Sequence, residues 1–168
     1  MRLLVIGGAG YVGRLVLPGL AARHRVRVLD LREPGPDGGY EYLAGDATDR
    51  AVLDRACAGT DAVLHMAMAP VRVADERTDP AVAFDVHVKS AYLAVAAAAR
   101  AGVPHVVFVS SLSVFADLGY RTIGADEEPD SAEPYGLTKR LGEQACRAAA
   151  AATGTALTVL RLAWPTPD

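Results

Sequence analysis

Tyr135 and Lys139 stand four residues apart in the run Pro134-Tyr135-Gly136-Leu137-Thr138-Lys139. On a helix that spacing places both side chains on one face. A free phenol titrates near ~10, too high for a base at neutral pH. A neighbouring ammonium favours the phenolate, and so would the positive ring of an oxidised nicotinamide. The phenol can then exchange a proton with a substrate oxygen. Ser111 closes the stretch Val106-Val107-Phe108-Val109-Ser110, where its hydroxyl could hold the same oxygen. Alone, a Tyr-x-x-x-Lys run is usually an exposed helix pair and a lone serine a turn residue. A second signal near the N-terminus changes that weighting.

Gly7-Gly8-Ala9-Gly10-Tyr11-Val12-Gly13 follows the first apolar run. Glycines at a strand-to-helix turn let a pyrophosphate approach backbone N–H groups and the positive end of the helix dipole. The spacing is GxxGxxG, a weak motif by itself and compatible with ordinary turn glycines. Asp30 ends the second apolar run, 17 residues beyond Gly13. A carboxylate there accepts hydrogen bonds from the adenosine ribose and repels a 2′-phosphate, which favours NAD over NADP. Arg32 lies close enough to reach a 2′-phosphate and argues the other way. Together the two ends of the chain imply nicotinamide-dependent chemistry at a carbinol or carbonyl carbon.

The elements that must position these residues alternate. Strands are expected at 2–6, 25–30, 40–44, 62–66, 105–110 and 156–162. Helices are expected at 11–23, where Pro18 should kink or shorten the helix, from a Thr48 or Asp49 cap to about Ala58, at 80–101, and at 134–152. Pro134 suits a first turn and Gly154 a helix end. The loop 31–39 is rich in proline and glycine, and 111–133 is mostly loop. Continuous apolar strands separated by helices predict an α/β fold, a doubly wound parallel sheet of about six strands, the Rossmann arrangement.

Composition narrows the partners. The chain has 168 residues, 51% of them hydrophobic, and a net charge of −3. That is one domain with a sizeable core, without the basic footprint of a nucleic-acid binder. No run of about 18 consecutive apolar residues predicts a membrane span. Cys57 and Cys146 are isolated, with no metal-ligand spacing, and read as small apolar fillers in a cytoplasmic protein.

The chain resembles the extended short-chain dehydrogenase/reductase family, the NAD-dependent epimerases and dehydratases, from Met1 to about Pro165. The resemblance implies that Gly7, Gly10, Tyr11, Val12 and Gly13 form the pyrophosphate turn. Gly45-Asp46-Ala47-Thr48-Asp49 is similar to the adenine-binding segment, which implies that Asp46 and Ala47 meet the adenine. His65-Met66-Ala67 looks like the turn over the cofactor. Val109-Ser110-Ser111-Leu112-Ser113-Val114-Phe115 resembles the serine segment. It implies Ser111 and Tyr135 as catalytic groups and Lys139 as a catalytic group that binds ribose and lowers the phenol pKa. The expected activity is oxidoreductase or epimerase chemistry on a nucleotide sugar or similar carbinol; the alternative is a non-catalytic NAD-binding module. His87 stands where the family often has an asparagine that helps fix the active-site backbone; it is expected at the cofactor site, still able to donate one hydrogen bond but larger and free to titrate. Phe115-Ala116 replaces the usual Tyr-Gly. Family members continue past the sixth strand, so 1–168 reads as the cofactor-binding domain without the substrate lobe, and Arg161 to Asp168 as the start of a loop over the nicotinamide. The resemblance also implies a homodimer through the two long helices, with Ala94, Val95, Ala98, Ala145, Ala148 and Ala149 allowing close packing.

Overall fold

The structure is a computed structural model; it describes residues 1–35, 38–70, 79–119 and 122–163. Trp164 and the rest of the expected nicotinamide loop lie outside the described residues. Six strands form one parallel sheet in the order β3-β2-β1-β4-β5-β6. They are β1 (Arg2–Ile6), β2 (Arg25–Asp30), β3 (Glu41–Ala44), β4 (Ala62–His65), β5 (His105–Ser111) and β6 (Ala156–Leu162). The order reverses between β1 and β4, so a crevice opens at the carboxyl ends of these two strands, where open sheets bind ligands.

The strands pair in the register their apolar residues demand. Val5 faces Val28 on one side and Leu64 on the other, and Phe108 lies opposite Val159. Helices α2 (Arg50–Cys57), α4 (Ser90–Arg100) and α5 (Pro134–Thr153) cover one face over Leu4, Ile6, Leu29, Val63, Val106 and Phe108. Helix α1 (Tyr11–Ala21) covers the other over Val5, Val28 and Val109. Pro18 sits inside α1 without ending it at that point. Asp49 caps α2, accepting from Ala51 N at 2.8 Å, and Gly154 ends α5 at φ 72°.

The long helix expected at 80–101 is not regular. It divides into α3 (Pro80–Phe84), a π-helical segment Asp85–Lys89, and α4. Ser90 Oγ donates to Val86 O at 2.5 Å, taking up a carbonyl inside the widened turn. Taken as one stretch, Pro80–Arg100 is long and apolar enough to cross a bilayer by composition. Its inner residues Ala83, Ala91, Ala94, Val95, Ala97 and Ala98 are buried within the chain instead. That corrects four of the dimer residues expected above. Ala94, Val95, Ala98 and Ala149 belong to the protein's own core, because α4 and α5 pack on the sheet and on each other. Ala148 is exposed and Ala145 half-buried.

β6 is an edge strand whose side chains alternate between half-buried and exposed, with Leu160 open to solvent. Among the described residues, its face opposite α5 carries no covering helix.

Candidate active site

The cofactor end is made of backbone. Gly7 has φ +84°, and a Cβ there would lie 2.5 Å from the backbone of Ala67. Gly13 packs so close that a Cβ would lie 2.1 Å from Gly8 O. These two glycines are therefore required by contacts within the chain. Gly10 is less crowded: a Cβ there would meet one atom, Gly7 O, at a tight 3.3 Å. It is also the N-cap of α1, and no side chain caps that helix. The first-turn amides and the dipole end of α1 are thus presented to the crevice. Such a turn fits a pyrophosphate.

Asp30 stands at the tip of β2. Its Oδ2 accepts from Ala9 N at 2.8 Å and its Oδ1 from Arg32 N at 3.1 Å. The carboxylate is held beside the glycine turn, as the sequence predicts. Asp46 is exposed after β3, with Oδ1 accepting from Thr48 N at 2.8 Å. Ala47 packs against the core. Met66 and Ala67 are buried, and their backbone lies against Gly7.

At the reacting end, β5 delivers Ser111 and the first turn of α5 delivers Tyr135. The Tyr135 phenol lies near enough to the Ser111 side chain for that hydroxyl to act on its ionisation. Ser111 Oγ in turn accepts from Ser113 N at 3.1 Å, which fixes its place at the strand end. Tyr135 is 41% exposed, so substrate can approach it. Lys139 turns the other way. It is 4% exposed, its Nζ donates to Val109 O at 2.6 Å, and the ammonium lies 4.6 Å from the Phe108 ring centre.

The expected lowering of the phenol pKa by Lys139 is not what this arrangement shows. Burial raises Tyr135, and the Ser111 side chain only partly opposes it. Burial pulls Lys139 itself down to about 8. The lysine runs inward to the Val109 carbonyl, while the phenol stays partly exposed.

The sequence model of the NAD dependent epimerase/dehydratase family matches residues 3–165. A UDP-glucose 4-epimerase of Azospirillum brasilense is 32% identical over 167 residues, 95% of this chain and 48% of that protein. A (4-alkanoyl-5-oxo-2,5-dihydrofuran-3-yl)methyl phosphate reductase of Streptomyces griseus is 35% identical over 148 residues, 86% of this chain and 43% of that protein. Among solved structures, a short-chain dehydrogenase/reductase superfamily protein from Agrobacterium tumefaciens with bound NAD has a TM-score of 0.82 at 33% identity, covering 96% of this chain and 48% of its own. The chain belongs to the NAD-dependent epimerase/dehydratase family. It spans less than half the length of each of these three proteins.

Within this family domain, His87 holds backbone around the site, as the sequence expectation has it, but is not free to titrate. It is 1% exposed, at the centre of the π-helical segment, and both ring nitrogens are committed inside the chain. Nε2 accepts from Ala69 N at 3.0 Å, so Nδ1 carries the proton. Nδ1 then donates to Thr138 Oγ1 at 2.8 Å, and Thr138 Oγ1 donates to Tyr135 O at 3.0 Å. The ring also meets the Tyr135 ring edge-on at 5.7 Å. His87 therefore supports Tyr135 and the turn after β4 from beneath, with no nitrogen left for a cofactor. Burial, then Lys139, hold its pKa down at about 3, so it stays neutral rather than titrating near its ordinary value. Thr138, Ser113 and the Ala69 amide were not expected as site residues. Thr138 had one visible signal, a hydroxyl immediately before Lys139 in a buried register.

Proposed function

We propose that this domain carries out NAD-dependent oxidoreductase or epimerase-type chemistry on a nucleotide sugar or similar carbinol. The proximity of Ser111 at the end of β5 to Tyr135 in the first turn of α5, at the carboxyl edge of the sheet, supports the reading. The uncapped glycine turn at the same edge supports a dinucleotide, and the anchored carboxylate of Asp30 supports NAD over NADP. A protein bound to NAD among the similar structures supports the same cofactor. Gly7, Gly10, Tyr11, Val12 and Gly13 would hold its pyrophosphate, Asp30 its ribose with Arg32 nearby, Asp46 and Ala47 its adenine.

When bound, NAD supplies a hydride acceptor and donor for the substrate carbon. The chain's own residues handle the proton. Ser111 holds the substrate oxygen, and Tyr135 takes the proton from a hydroxyl or returns it to a carbonyl. Burial favours the protonated phenol, the state that donates. Lys139 places its ammonium under the β5 carboxyl end, where it supports the site and is the candidate ribose ligand. Similarity to an epimerase and to a reductase supports both outcomes, which differ in how the substrate is held.

A second reading is an NAD-binding module without turnover. Tyr135→Phe separates the two. Turnover is expected to fall by roughly 10²–10⁴ while calorimetric NAD binding persists and exceeds NADP binding. Absence of NAD binding by the wild-type protein sinks both readings. The same reading includes a cytoplasmic homodimer through the outer faces of α4 and α5, with Tyr92 and Ala148 outward; monomeric sedimentation at micromolar concentration rejects that assembly.

A further inference from the structure

Glu143 is 2% exposed and lies one turn beyond Lys139 on α5. A carboxylate that deep persists only with a partner. Arg161 on β6 supplies it: Nε lies 3.1 and 3.3 Å from the two carboxylate oxygens and Nη2 lies 2.9 Å from Oε2. Arg147 approaches Oε2 from the surface at 3.8 Å. The Arg161 side chain is itself only 13% exposed.

A guanidinium has five donors in one plane. Those turned away from Glu143 reach a loop. Nη1 lies 3.2 Å from Glu127 O and 3.4 Å from Ala125 O. The cation also stands 5.1 Å from the centre of the Phe115 ring. One side chain thus touches α5 and two separate parts of the loop while anchored on β6.

That loop is the connection between the two reacting residues. Its described residues are 115–119 and 122–130. It leaves the sheet through the 3₁₀ turn Leu112–Val114, just after Ser111, and returns at Ser131, just before Tyr135. Ser131 N donates to Val114 O at 2.9 Å, and Ala116 N donates to Asp130 Oδ1 at 2.8 Å. At the closure Gly136 has no room for a Cβ, which would lie 2.1 Å from Ser113 O and 2.3 Å from Ser131 Oγ. Any drift of the loop is passed to Ser113, which holds Ser111, and to the first turn of α5.

We infer that Arg161 is a positioning residue for the Ser111–Tyr135 pair: locked by Glu143, it pins the loop between them and so sets their separation. It touches neither hydroxyl. The fork and the flat face are what the position requires, and a lysine supplies neither. The functional consequence rests on the proposed chemistry of that pair; the pinning itself does not.

Removing Arg161 alone strands Glu143 in the interior and threatens folding. The deciding variant is therefore Glu143→Met with Arg161→Met, which replaces both charges with apolar groups. Amide hydrogen exchange is read at Ala116 and Ser131, with Phe108 in the core as reference. Pinning predicts that the two loop amides speed up by about tenfold or more while Phe108 changes less than about twofold. It also predicts a fall of about tenfold in kcat with NAD affinity unchanged. Arg161→Lys, which keeps the charge, should fold and still release the loop amides. Loop amides as protected as in wild type overturn the inference. So does equal acceleration of loop and core, which would make the pair a stabiliser only. If the wild-type protein binds NAD yet turns over no carbinol, the catalytic reading fails, while the exchange rates still decide the pinning.

Discussion

The glycine turn after β1 and the Ser111–Tyr135–Lys139 cluster beside β5 face one edge of the sheet, yet they are built from opposite materials. The turn works by the absence of side chains: Gly7 and Gly13 let backbone meet backbone. The cluster works by side chains held in place by buried polar partners, Lys139 on Val109 O and His87 between Ala69 and Thr138. A steric requirement is local and insensitive to solvent. A titrating group depends on every neighbour and on the exclusion of water, which here raises the phenol and lowers the ammonium.

Three experiments press on that contrast. The largest effect is expected from Gly13→Val, whose Cβ would collide with Gly8 O. It should cost about 3 kcal/mol in urea unfolding and abolish NAD binding. A variant that binds NAD normally would show that close packing at the turn is not what the cofactor end requires. Next comes Thr138→Val, which keeps shape but leaves the buried Nδ1–H of His87 without its acceptor. A loss of about 2 kcal/mol is expected, with NAD affinity retained. Loss of NAD affinity as well would mean that the two regions are one unit.

The smallest effect is a pH dependence. Lys139 titrates at about 8 in the folded chain against an ordinary value of 10.5. Between those values the unfolded chain holds a proton that the folded chain has released, so stability rises with pH from about 8 upward. Below 8 both states are protonated and the group contributes no slope. Compared with Lys139→Met, wild type should gain about 1.4 kcal/mol between pH 7 and pH 9. Parallel curves for the two proteins would mean that the ammonium is solvated.

Much of the fold was legible because its signals are local. The six strands stand within a residue of where their apolar runs put them, and Asp49, Pro134 and Gly154 mark helix ends as their backbone preferences require. The π-helical segment was not legible. Its register depends on His87 reaching Ala69 and on Gly142 letting α5 approach His87 O, where a Cβ would lie 2.3 Å away. Ala94, Ala98 and Ala149, three of the alanines assigned to a dimer face, lie in the core for a similar reason: small residues on a helix suit any close packing, and here the sheet and the neighbouring helix claim them.

The chain's order of residues alone determined the parallel sheet, the glycine turn, Asp30 beside it and Ser111 and Tyr135 at one edge. Period, chain punctuation and the missing Cβ act over a few residues and survive any tertiary context. Only the tertiary structure decided that Lys139 points inward, that His87 is neutral with its proton on Nδ1, and that Arg161 reaches across from β6 to the loop. Those outcomes depend on burial and on partners up to 51 residues apart in the chain, as His87 and Thr138 are, and no local pattern carries that information.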